Sequence, residues 1–306
     1  RLITNDFNTL KGYESNRFGS YSEVISLSMG TPTTRRLQGL TGSGDIIFAA
    51  RQQGTNSTQA DIPTYRAYPD LALEQTIQVP SSNSSVNGFG DSIHSGGDLL
   101  VVSNSSYNRR GSLYLWIYRR SSNPINPWLL ADRVILNRSD FSDARIDTDG
   151  ERIAVLYSDN NGKKVSVIEA ISPNNFEVRW SANAQSIGSP YSTNPTLSDV
   201  AIDQDLLVIG APNTEVRLNQ SSSVFVYERT GTSWTKQTPL SMLSNREGAQ
   251  LVEAYDGKVF ATDRNSIHEF DLNPNANKHP RFTSSPRFQA VAGRPYSALI
   301  SVEDDS

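Results

Sequence analysis

Cysteine is absent from all 306 residues. That excludes disulfides, thiolate metal sites and a cysteine nucleophile, and it removes any redox clue to compartment. Long apolar runs are lacking too. Stretches such as residues 46–50 and 99–102 have the length of a strand, well short of the roughly 18 residues a membrane-spanning helix needs. A basic excess is also absent: 28 Lys and Arg stand against 32 Asp and Glu, a net charge of -4. The electrostatic footprint of a nucleic-acid binder is therefore not there, and mild acidity disfavours docking on anionic lipid. Helical periodicity does not persist over any useful length. The sequence starts at Arg1 without Met or a signal peptide, so a removed leader or a segment of something longer is expected.

What is present is a repeat. Short apolar runs each follow a turn: Gly44-Asp45 before Ile46, Gly97-Asp98 before Leu99, Gly150-Glu151 before Arg152, Gln204-Asp205 before Leu206, and Gly257-Lys258 before Val259. Aligned on Asp45, Asp98, Glu151, Asp205 and Lys258, the spacings are 53, 53, 54 and 53. Trp128, Trp180 and Trp234 keep the same beat, 29 or 30 residues after their reference positions. They read as core aromatics between neighbouring units, with a sugar-stacking platform as the other use of such residues.

Each unit reads as four strands. Strand A precedes the turn, strand B is the apolar run, strand C alternates as in residues 113–118 and 223–228, and strand D starts near the Trp. A four-stranded unit recurring at this period is the sequence signature of β-propeller blades. The expected fold is therefore all-β, a β-propeller over residues 1–280 with five repeat units visible, and five to seven blades fit. Residues 23–27 match a D strand, and no D strand follows residue 272, so ring closure by an N-terminal strand is expected. Phe18-Gly19-Ser20 also resembles the start of an A strand, which leaves a degenerate extra blade open.

Residues that could carry chemistry are few. Asp91, Asp143 and Asp199 each open an A strand, where paired carboxylates could act as acid and base. All three follow one pattern (Phe-Gly-Asp, Phe-Ser-Asp, Leu-Ser-Asp) and so read as a repeat-borne turn or cap. His94, His268 and His279 are scattered, no Ser sits on a G-x-S-x-G elbow, and no His pair offers zinc. The Gly-rich run 39–44 has no helix after it to receive phosphate. Arg35-Arg36, Arg109-Arg110 and Arg119-Arg120 read as solvated loops or strand edges, with contact to an acidic partner as the alternative. The sequons at Asn56, Asn83, Asn104, Asn137 and Asn219 are about as many as chance gives. No catalytic, cofactor or metal residue is assigned, and the chain is expected to be no enzyme.

Two stretches resemble known families. Residues 89–93, 97–102 and 111–115, and again 205–212, 224–227 and 231–234, resemble the FG-GAP repeat of extracellular, integrin-α-like propellers in an Asp-poor bacterial form. Residues 282–304, with Ala290, Gly293, Tyr296-Ser297 and Glu303-Asp304, resemble the opening of a bacterial Ig-like or cadherin-like domain, so 281–306 is expected to be a linker and that domain's start. The resemblance implies an extracellular or cell-surface module, non-enzymatic, within a larger adhesive or filament-forming protein. Its partners would be proteins or glycans at the surface, or further copies of the chain. A carbohydrate-active propeller, lectin or glycosidase, is the alternative. Family members bind calcium through D-x-D-x-D-G loops. Here Asp147-Thr148-Asp149 and Asp203-Gln204-Asp205 offer two carboxylates each, against the six to eight oxygens calcium takes, so no cofactor is expected, with calcium as the alternative.

Overall fold

The computed structural model describes residues 2–6, 9–15, 21–28, 35–53, 60–66, 72–80, 88–104, 111–138, 144–188, 196–212, 222–242, 248–263 and 266–272. The Ig-like stretch, His279, Asp143 and Arg109-Arg110 lie outside them. The chain divides into two compact units, Arg1–Ser181 and Ala182–Ser306.

Unit one holds four antiparallel sheets. The first is three-stranded, from β1 (Leu2–Asp6), β2 (Thr9–Ser15) and β3 (Tyr21–Ser28). The other three are four-stranded meanders. One runs through β4 (Arg35–Ser43), β5 (Ile46–Gln53), β6 (Ala60–Arg66) and β7 (Ala72–Ile77). The next contains β8 (Ser92–Gly96), β9 (Leu99–Ser103), β10 (Gly111–Arg120) and β11 (Trp128–Arg138). The last contains β12 (Arg145–Thr148), β13 (Arg152–Asp159), β14 (Gly162–Ser172) and β15 (Asn175–Asn183).

Unit two has two sheets and one short helix, α1 (Ala184–Ile187). In the larger sheet, β16 (Asp199–Asp203), β17 (Leu206–Pro212), β18 (Ser222–Thr230) and β19 (Ser233–Lys236) pair in order, and β20 (Leu240–Met242) pairs with β18 beside β19. The second is a three-stranded meander of β21 (Val252–Tyr255), β22 (Lys258–Thr262) and β23 (Ile267–Asp271).

Strands restart after Asp45, Asp98, Glu151, Asp205 and at Lys258, as the repeat requires. The turn before each restart is a two-residue hairpin in four of the five cases: Ser43 pairs with Ile46, Gly96 with Leu99, Asp203 with Leu206 and Tyr255 with Lys258. The fifth is wider, because Asp149 caps it by accepting the N–H groups of Glu151 (2.8 Å) and Arg152 (2.7 Å).

Two expectations are corrected. Strand C does not alternate at its centre: Leu115–Tyr118 and Ser223–Tyr227 are buried without a break. Sheets stacked face to face cover both sides of their middle strands, which therefore read as continuous apolar runs. Residues 23–27, expected as a spare D strand for closure, are the third strand of their own sheet. β3 pairs with β2, which in turn pairs with β1 through a two-residue connection between Asp6 and Thr9. Such local hairpins need little loop-closure entropy. Closure by an N-terminal strand is not seen in this pairing; the extra, degenerate sheet is.

Neighbouring sheets hold one another by apolar contact and by hydrogen bonds about one repeat apart. One core joins Phe48, Ile62 and Ile77 to Trp116 and Trp128, a second joins Leu113 and Leu115 to Ile153 and Ile168, and a third joins Val208 and Val226 to Val252 and Val259. Phe48 meets Trp128 edge-on at 4.8 Å and 82°. Trp128 and Trp234 are buried, so neither is an exposed sugar platform, and Trp128 packs between two sheets. Across the seams, Ser43 donates to the carbonyl of Gly97 (2.8 Å) and Ser198 to that of Ala249 (2.7 Å). Gly96 lies so close to the next sheet that a Cβ there would stand 2.2 Å from the Thr148 carbonyl oxygen.

Candidate functional site

The structure places the following sequence candidates among its turns and seams. The Asp199 carboxylate accepts the backbone N–H of Val252 at 3.0 Å, one repeat on. Asp91 ends a tight turn in which its N–H donates to Gly88 O at 3.0 Å. Asp149 is the turn cap described above, and its second oxygen meets Arg152 at 3.1 Å. Among the described residues no three His, Asp or Glu side chains converge to hold a metal ion. His268 Nε2 lies 2.9 Å from Asp263 Oδ2 and 3.1 Å from Ser266 Oγ, closing the β22–β23 hairpin.

His94 lies on β8 with Nε2 2.7 Å from Ser92 Oγ. Burial, aided by the charge of Arg145, pulls its pKa down to about 4. It is therefore neutral at pH 7. Arg119 and Arg120 end β10, where Arg119 lies 5.6 Å over the Phe176 ring and Arg120 reaches Asp45 at 4.0 Å. The glycine-rich run 39–44 is strand β4 and its turn, paired along β5. The sequon residue Asn104 is buried; its amide donates to Ser112 O and accepts from Tyr114 N–H, a structural use of both ends.

The site that sequence reasoning missed is a cavity of about 610 Å³ within unit two. Four carboxylates line it: Asp203 and Asp205 flank the β16–β17 turn, Glu228 stands on β18, and Asp256 is in the β21–β22 turn. Gln204, Gln237 and Thr238 add amides and a hydroxyl, while Leu206, Val226, Leu240 and Leu272 supply an apolar side. Among the described residues no Lys, Arg or His is in the lining. The acids come from two neighbouring sheets because the turns are stitched together: Asp203 Oδ2 accepts the N–H of Asp256 at 2.7 Å. Gln237 donates to Glu228 Oε2 at 3.2 Å. Arg229 stands 3.9 Å from Asp205, and Lys258, bonded to Glu269 at 2.6 Å, also interacts electrostatically with Asp256.

A departure from the repeat marks this cavity. In sequence, the residue before each reference position is Gly44, Gly97, Gly150 and Gly257 in four units and Gln204 in the remaining one; in the two-residue hairpins the first turn residue is Gly44, Gly97, Gln204 and Asp256. Gln204 nevertheless holds φ 50°, and Asp256, also in the lining, holds φ 50°. A side chain in that left-handed region is disfavoured. A glycine is expected at the Gln204 position, and the cavity is where the chain does without one.

No family model matches the chain, and no curated protein matches it in sequence. Solved structures do match in backbone. A candidate 6-phosphogluconolactonase from Bacteroides uniformis superimposes with a TM-score of 0.54 at 12% identity, covering 87% of this chain and 75% of that one. A periplasmic gluconolactonase from Pseudomonas aeruginosa gives 0.50 at 11% identity, covering 90% and 76%. With the repeated four-stranded meanders, these similarities define the fold class: a β-propeller. They also overturn the expectation of a chain that is no enzyme, because enzymes are what its backbone resembles. That expectation rested on the regularity of the repeat at Asp91, Asp143 and Asp199, whereas the irregularity lies at Gln204.

Proposed function

We propose that this chain is a carbohydrate-active propeller that binds, and hydrolyses, a sugar or sugar-derived ligand in the cavity of unit two. The observation that carries this reading is the cavity where the repeat is broken at Gln204. Its lining combines an apolar side for the C–H face of a ring with amides, a hydroxyl and carboxylates for its oxygens. Ligand sites are typically mostly apolar hollows with a few convergent polar groups. Carboxylates are also the groups that act as acid and base in glycoside hydrolysis. The similarity to structures described as lactonases supports the same class of ligand. An adhesive or filament-forming role gains no support from the structure, and the carbohydrate reading takes its place. Extracellular placement, and the FG-GAP and Ig-like assignments, stay with the sequence resemblance; fractionation of the native host tests the first.

The test is a panel of neutral, cationic and anionic mono- and disaccharides and sugar lactones, with binding read by calorimetry and hydrolysis by product release. One ligand class should bind, at least tenfold more weakly to Glu228→Gln. Failure to hold or turn over any member of the panel would sink the proposal.

A further inference from the structure

We draw no further inference here: the strongest candidate, the face of the three-stranded sheet β21–β23 on which Tyr255 and Ile267 are exposed, carries none because nothing in the structure shows what covers it.

Discussion

The side-chain amide of Gln75 grips both backbone polar groups of Trp128: it accepts the Trp128 N–H at 2.9 Å and donates to the Trp128 carbonyl at 3.1 Å, across 53 residues of sequence. It staples β7 to the start of β11 on the next sheet and leaves the Trp128 ring facing Phe48. Gln75→Ala strands a donor and an acceptor beside a buried aromatic. Losing such partners costs about 1–3 kcal/mol, to be read as a lower urea midpoint at an unchanged slope.

Asp199 makes the equivalent kind of stitch to Val252 in unit two. Asp199→Ala should destabilise by about 1–2 kcal/mol, whereas Asp199→Asn keeps an acceptor oxygen and should lose less. Sugar binding or hydrolysis per folded molecule should not change in Asp199→Asn. A collapse of turnover at full stability would return this carboxylate to the active site.

Gly96 has no room for a side chain. An added Cβ would meet the Thr148 carbonyl oxygen at 2.2 Å and the Gly150 nitrogen at 2.9 Å, both backbone. Gly96→Ala should cost about 3 kcal/mol or more, at the upper end for overpacking. Thermal unfolding measures it; a shift of only a few degrees would mean the seam between these sheets can open.

His94 makes stability depend on pH. Its folded pKa lies near 4, below the ordinary 6.5, so between those values the unfolded chain binds a proton that the folded chain refuses. Stability is complete above about pH 6.5 and is lost as pH falls towards 4, by up to about 3 kcal/mol. Urea midpoints from pH 7.5 to 4.5 should fall less in His94→Gln than in the wild type.

Gln204 sits where the other units carry glycine and holds φ 50°. Relief of the left-handed strain in Gln204→Gly, set against the greater chain freedom of glycine, should stabilise by about 0.5–1 kcal/mol. The same change should weaken sugar binding, since the amide leaves the cavity. A variant both less stable and fully active would contradict the assignment.

The repeat was legible because its marks are local and categorical: a turn, then an apolar run, at Asp45, Asp98, Glu151, Asp205 and Lys258, each starting a strand in the structure. The burial of Leu115–Tyr118 was less legible, since a strand covered on both faces depends on neighbours about 53 residues away that a local pattern does not reveal. The sheet of β1, β2 and β3 lacks the Gly-Asp turn, so its residues were read against a borrowed register. The cavity was hidden because Glu228, Gln237 and Asp256 come from different strands and share no motif. In sequence, Asp203-Gln204-Asp205 reads only as a turn with two carboxylates, and the loss of glycine at Gln204 does not read as a mark of a site.

Within each unit, adjacent sheets are fastened by bonds about one module apart, as from Gln75 to Trp128 and from Asp199 to Val252. Folding can therefore begin in any meander and spread to its neighbours without waiting for the chain ends to meet. For the same reason, in-frame duplication of a whole module would give every copy the bonding partners it already has. Lineages of this chain can thus gain or lose blades in single genetic steps, while a cavity built across one seam, from Asp203 to Asp256, survives any duplication that leaves that seam intact.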